Sequence, residues 1–488
     1  MSAPVNPIQH QTYIEMPEEL YSETAPAGSD SPTLVELNLG LIQELGLNQD
    51  WFASQSGIAA MAGNGSDSVP TVALAYGGHQ FGNWAGLLGD GRAHMLGQIK
   101  SASGQLIDVQ LKGSGRTRFS RGGDGYATLG AVLREHMVSE AMAGLGIPTT
   151  RSLAVITTGQ YVYREQPVSG AILVRTAQSH LRVGTFQYAF NTLSKDEFRA
   201  LADFTIEQLY PHCEQQANKY EALLNVIVAR QATLISQWML TGFIHGVMNT
   251  DNTAISGETI DYGPCAFMDE FHPQKVFSSI DQFGRYAWNQ QATIGLWNLT
   301  QLAHTFSSLL DPDADKATAL IESIVSRFGP QFQQSFHMGL ARKLGLAVEP
   351  EALAPIAQST FELMTEGAID FTQFFDRLTH VAGGEPDSFL LKLTDKTSAL
   401  ESWLTQWHDV RKSSGESLDV MRKANPAVIA RNHRVEQAIK EAVEQDDFTL
   451  FRRLTGALAH PWAVDSNNLD LQEAPLPAER ITRTYCGT

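Results

Sequence analysis

Asp251 and Asn252, followed nine residues later by Asp261, are the residues of this 488-residue chain best equipped for chemistry. They stand in His245-Gly246-Val247-Met248-Asn249-Thr250-Asp251-Asn252 and Asp261-Tyr262-Gly263. Two carboxylates and an amide offer the hard oxygens that Mg2+ or Mn2+ takes when it bridges nucleotide phosphates. With the Asn252 amide and the Asp261 carboxylate on the metal, Asp251 is left to accept a proton from an incoming hydroxyl. Asp251-Asn252 alone would also suit an ordinary polar turn. Its setting, between a long helix with a His-Gly loop and a short hairpin ending in Asp-Tyr-Gly, argues against that. A protein kinase carries its catalytic Asp five residues before the metal-binding Asn; here that position is Val247.

Phosphates need cations, and several stand upstream. Lys112 closes a strand-like run, from which an ammonium reaches phosphates as a point charge. Glu135 is its candidate ion-pair partner, on a helix whose apolar stripe is Leu129, Val132, Leu133, Met137 and Ala141. Glu135 falls off that stripe, so a solvated carboxylate is the competing reading. Gly89, Gly91 and Arg92 form a loop before a strand, where glycine allows backbone N–H groups to approach an anion. Neither a P-loop nor a complete G-x-G-x-x-G is present, and turn chemistry competes. Arg116, Arg118 and Arg121 crowd a Gly-rich segment that ends in Asp124-Gly125 and points to an anion cradle; Asp124 could instead cap the next helix. Arg175 and Arg182 suit bidentate phosphate contacts or, singly, plain solvation.

The elements that position these groups divide the chain into four parts. Residues 1–70 are expected to be an accessory segment, with helical spacing over 31–47 and a loop at 62–68. Residues 71–195 alternate strand-like runs (71–76, 94–99, 106–111, 153–157, 160–164, 171–175) with glycine clusters and one helix over 127–145. That pattern predicts a mainly antiparallel sheet with one packed helix. Residues 196–350 turn helical, with a long helix at 220–240 and a short hairpin across 253–261. Residues 351–488 read as a helical extension with an extended tail.

Composition narrows the function classes. Against 35 Lys and Arg stand 53 Asp and Glu, a formal charge of −18, which argues against broad binding to nucleic acid or anionic membrane. Cys213, Cys265 and Cys486 show no metal-ligand spacing, and no apolar run reaches a membrane span. Residues 1–21 lack Lys and Arg, unlike a secretory signal or transit peptide, so the cytoplasm is expected.

Taken together, Tyr76-Gly77-Gly78-His79-Gln80-Phe81-Gly82, Gly89-Asp90-Gly91-Arg92, Gln110-Leu111-Lys112-Gly113-Ser114-Gly115, the two metal motifs, Gly284-Arg285-Tyr286, Trp297-Asn298-Leu299, Asn425-Pro426 and Arg431-Asn432 resemble the selenoprotein O family. The resemblance covers nearly the whole chain. It implies an α+β, protein-kinase-like two-lobed fold, with a mainly antiparallel-sheet N-lobe, a helical C-lobe and helical extensions at both ends. It also implies transfer of AMP from ATP, bound in a flipped orientation, to Ser, Thr or Tyr hydroxyls of proteins. In that frame Lys112 and Glu135 form the ion pair, while Gly89, Gly91, Arg92, Lys112, Asp124, Gly125, Arg175, Arg182 and Asp261 hold the nucleotide. Asn252 and Asp261 bind the metal and Asp251 is the proton acceptor. Transfer of UMP from UTP, phosphoryl transfer and a non-catalytic ATP-binding scaffold are the alternatives. Some relatives pair a cysteine third from the C-terminus with one after Asp-Tyr-Gly. Here Cys486 holds the first place and Phe277 the expected second, which leaves Cys265 as substitute.

Overall fold

The computed structural model describes residues 5–65, 69–347 and 349–485. Residues 66–68 of the expected loop, and Cys486 with the pairing considered for it, lie outside them.

An antiparallel sheet forms the N-terminal lobe. Its strands run in the order Tyr21–Glu23, Val72–Leu74, Ala93–Lys100, Leu106–Lys112, Pro167–Ala177, Arg151–Tyr163, Thr33–Leu37. Alternation along Leu106–Lys112 sorts the two faces. Val109 and Leu111 pack under the helices Leu39–Glu44, Gln49–Phe52 and Gln55–Met61, whereas Asp108, Gln110 and Lys112 point to the other side. Pro167–Ala177 follows the same rule in register, with Arg175 opposite Gln110. The sheet face that carries Lys112 is therefore the face that carries Arg175.

Three sequence expectations change here. The helical spacing over 31–47 resolves into the strand Thr33–Leu37 and the short helix Leu39–Glu44, capped by the Asn38 side chain on the Leu41 amide. The leading segment thus supplies edge strands and a helical cover, so the sheet packs helices on both faces. The two runs at 153–157 and 160–164 are one strand, Arg151–Tyr163, whose register breaks between Thr157 and Tyr161. The hairpin across 253–261 does not form. Ala254 bridges Arg182 and Thr259 bridges Thr149, so each arm pairs with the N-terminal lobe.

Helix Leu129–Gly144 starts on the Thr128 side chain, which accepts from the Ala131 amide. Its expected single stripe gives way to burial on nearly all sides, because helices Asn432–Gln445 and Thr449–Leu458 cover its outer face. A Cβ on Gly144 would lie 2.0 Å from the Leu458 carbonyl, so the helices meet backbone to backbone there. The C-terminal extension therefore braces the N-terminal lobe.

In the helical lobe, Lys219–Leu240 ends at Gly242, and the two-residue strands Phe243–Ile244 and Ala266–Phe267 pair beyond it. Residues 245–265 form an irregular excursion closed by that pairing, with one 3-10 turn at Thr250–Asn252. Among the described residues, no helix is long and apolar enough to cross a membrane.

Arg431 joins the extension to this lobe. It is 1% exposed and donates to Asp269 (2.5 Å), both oxygens of Asp370 (2.9 and 3.1 Å) and the Gln472 carbonyl (3.1 Å). Arg431→Ala strands buried carboxylates without their cation, at a cost of about 3–5 kcal/mol. A clearly lowered midpoint of thermal unfolding is expected; an unchanged midpoint would show that the lobe does not depend on this pair.

Candidate active site

Lys112, Arg175 and Arg182 converge on one carboxylate. Lys112 Nζ lies 2.6 Å from Asp261 Oδ1, Arg175 Nη1 2.8 Å from the same oxygen, and Arg182 Nη1 2.7 Å from Oδ2. Burial alone would raise the Asp261 pKa, but Lys112, Arg182 and Arg175 hold it well below the usual carboxylate range. Asp261 reaches this position with φ +65°, in the left-handed region that Asp tolerates better than most side chains.

Glu135 completes the cluster. Its Oε2 lies 2.6 Å from Lys112 Nζ and its Oε1 3.2 Å from Arg175 Nη1, and the residue is buried. The solvated alternative is excluded, for the reason already seen: the C-terminal helices take the outer face of this helix. Asp90 balances the remaining charge at 3.6 Å from Arg182, and its Oδ2 accepts from Gln110 Nε2 at 2.9 Å. Gln110 Oε1 in turn accepts from Arg175 Nε. Three cations thus face three buried or half-buried carboxylates, and Arg182 also stacks 4.5 Å over the Tyr76 ring.

Asp251 and Asn252 sit in the loop below. Asn252 Nδ2 donates to the Val247 carbonyl at 2.9 Å, so Oδ1 remains for a ligand. Val247, the position where a kinase base would stand, serves the site through its backbone. Asp251 is 8% exposed; Oδ2 accepts from Gln80 Nε2 at 3.3 Å, while Oδ1 is buried without a partner. Burial pushes its pKa up to about 6, against the pull of Arg182.

The loop is held by several neutral contacts and by the Arg134 guanidinium. His245 donates from Nε2 to the Ile260 carbonyl at 2.9 Å, one residue before Asp261, and burial keeps its pKa low, so the ring is neutral. Residues 76–82 press on the loop from above. The His79 amide donates to Thr250 Oγ1 (2.7 Å) and the Phe81 amide to Asn249 Oδ1 (2.9 Å). A Cβ on Gly78 would lie 2.2 Å from Thr250 Oγ1, and its φ is +126°, so both space and backbone demand glycine. Arg134 steadies the other side, donating to the carbonyls of Gly263 (3.1 Å) and Cys265 (2.6 Å).

Lys112, Glu135, Arg175, Arg182, Asp251, Asn252 and Asp261 line one cavity of about 1170 Å³ between the lobes. Gly89, Gly91, Arg92, Asp124 and Gly125 line it as well. The Gly89 amide donates to Tyr76 O and the Gly91 amide to Gly89 O, so neither N–H is turned to an anion. Glycine is required there by close packing instead: a Cβ on Gly89 would lie 2.3 Å from the Phe119 ring. Asp124 does not cap a helix, since Thr128 does that. It accepts from the Tyr126 amide and pairs with Arg164 at 2.6 Å, which lowers its pKa. Of the three arginines expected to form an anion cradle, Arg121 lines the cavity, whereas Arg116 and Arg118 are exposed and do not.

Sequence reasoning missed Tyr76, Gln80, Asp90, Gln110, Arg134 and Asn249. The Gly77-Gly78 pair was the available signal for the first two, because adjacent glycines mark a close backbone approach. Arg134 and Asn249 gave none, since their partners are distant carbonyls, amides and hydroxyls.

A family model described as "Protein adenylyltransferase SelO" matches residues 4–459. A protein of Shewanella denitrificans named "Protein nucleotidyltransferase YdiU" is 48% identical over 497 aligned positions, covering 99% of this chain and 98% of that protein. Proteins of the same name from a Bradyrhizobium species and from Bacillus cytotoxicus are 46% and 45% identical, each covering 98% of this chain and 98% and 97% of their own length. Matched over nearly all its length, with lobes and cleft arranged as described, the chain belongs to the SelO family of protein nucleotidyltransferases.

Proposed function

We propose that this protein transfers AMP from ATP to Ser, Thr or Tyr hydroxyls of other proteins in the cytoplasm, with pyrophosphate leaving. Nucleotidyl transfer follows from the family; the donor base, the acceptor hydroxyls, the site roles and the location are our reading. The observation that carries the site roles is Asp251. A buried carboxylate with one oxygen unpartnered lies one residue from the candidate metal ligand Asn252, while the kinase base position is an apolar Val247.

The donor types suit a hard divalent cation: Asn252 Oδ1 and the Asp261 carboxylate are the oxygens that would hold Mg2+ or Mn2+. Such an ion, when bound, would withdraw charge from the phosphate oxygens. Lys112, Arg175 and Arg182, now shared by Asp261, Glu135 and Asp90, are the cations that a polyphosphate would take over. Asp251 Oδ1 accepts the proton of the acceptor hydroxyl as its oxygen attacks the α-phosphorus, and the bond to the pyrophosphate oxygen breaks. Gln80 and the Arg182 bond to the Asp251 carbonyl (2.7 Å) hold that residue in place.

Incubation with isotopically labelled nucleotides separates the readings. Protein label from α-labelled ATP and none from γ-labelled ATP is expected. Stronger label from α-labelled UTP would assign UMP transfer, label from the γ position a kinase, and no label a scaffold.

The base assignment predicts a pH profile. Asp251 works only when unprotonated, so kcat/KM should rise as pH passes about 6 and level off above it. Asp251→Asn should lower kcat by about 10²–10⁴ and leave nucleotide affinity intact. If the variant keeps both the rate and the acid limb, Asp251 is not the base.

A further inference from the structure

The loop after the second metal motif carries an exposed aromatic on a rigid mount. Phe283 is 95% exposed and Ile280 55%. The backbone beneath them is pinned. The buried Asp281 accepts from the amides of Arg285 (3.0 Å) and Tyr286 (2.8 Å), closing a tight turn in which Gly284 takes φ +68°. The Tyr286 hydroxyl donates to Asn249 in the catalytic loop, and its ring packs 5.1 Å from Phe81. The Arg285 guanidinium lies 5.0 Å over Trp297 and 5.8 Å over Tyr286, so its charge faces rings inside the turn. A large apolar side chain so exposed, on a turn held by its neighbours' contacts, packs little against the described residues.

Its place adds the second half of the argument. Ile280, Phe81 and the 67%-exposed Tyr485 line the same cavity as Asp251 and Asn252. Phe283 itself lies outside the lining, three residues along the same turn from Ile280, and so stands near the rim of the cavity that holds the candidate base. The lining also carries Lys112, Arg175 and Arg182, suited to phosphates. Rigid, exposed aromatics beside a pocket are the residues that carry most of the energy in protein recognition.

We propose that Phe283 and Ile280 form the docking point for the acceptor protein, which presents its hydroxyl on a segment with a large apolar side chain close in sequence. This inference rests on the proposed transfer to protein hydroxyls and adds the recognition element. Phe283 acts as a specificity determinant, and the Asp281 turn, through Tyr286 and Asn249, keeps it in register with the catalytic loop.

An array of synthetic peptides tests it. Each carries one Ser, Thr or Tyr flanked by alanines, or with a single Leu or Phe placed at one flanking position. Label is supplied as α-labelled ATP or UTP to the full-length protein. Peptides with Leu or Phe at a defined offset should be labelled best. Phe283→Asp should lower their kcat/KM about tenfold or more through KM, to the level of alanine-flanked peptides. Phe283→Leu should restore most of the preference. Affinity for a non-hydrolysable ATP analogue, measured by calorimetry, should be the same in all three proteins. No apolar preference in the wild type, or a preference that survives Phe283→Asp, overturns the inference, as does a parallel loss of nucleotide affinity. Absence of label on the peptides while protein substrates are still labelled overturns this inference alone. Absence of label on any protein overturns the transfer reading beneath it.

Discussion

The cleft depends on one buried carboxylate being shared by three cations. Asp261 meets Lys112, Arg175 and Arg182 within 2.8 Å, and each cation comes from a different segment of the N-terminal lobe. Such a cluster is stable only if charge and hydrogen bonding balance, because an unpaired ion in that setting costs several kcal/mol. Glu135 and Asp90 supply the balance, and Gln110 links them through Arg175 and Asp90. The same cluster ties the lobes together, since Asp261 belongs to the helical lobe. A polyphosphate entering the cleft would exchange one set of anions for another, and the cations would keep their positions.

Around this charged centre much of the support is neutral, beside the Arg134 and Arg182 bonds to loop carbonyls. His245, Thr250 and Asn249 hold the loop through backbone and hydroxyl contacts whose strength does not change near neutral pH. That division matters for Asp251. Its pKa can be shifted by burial without the loop itself titrating, so a proton can move at one atom while the geometry stays.

Much of the site was legible in the sequence because its chemistry is carried by side-chain types that are costly to bury without a partner. Lys112 at the end of a strand, arginines in an acidic chain, and Asp251-Asn252 with Asp261 stood out for that reason, and the structure brings all but Arg116 and Arg118 into one cavity. The glycines were legible as glycines, with turn chemistry and an anion loop as competing reasons. Gly89 also gives room to the Phe119 ring, a fact that needs the position of a side chain thirty residues on. Glu135 was ambiguous because helical periodicity sees one face. Helices more than three hundred residues later made the other face interior. The segment at 33–37 reads as helix by spacing, yet an edge of the sheet was available to it, and pairing outweighed periodicity.

By itself, the sequence determined the local order and the family: the strand that carries Lys112 and the long helix before the loop; it also supplied the candidates for holding phosphates and metal. Local propensity and residue chemistry are properties of short stretches, so they can be read there. Tertiary structure alone decided which groups meet. It placed Arg175 beside Lys112 through strand register, turned Asn252 by means of the Val247 carbonyl, left Asp251 Oδ1 without a partner, and raised Phe283 on a pinned turn. Those depend on where the folded backbone carries groups that local propensity does not bring together, from 5 residues apart for Asn252 and Val247 to 171 for Asp251 and Gln80.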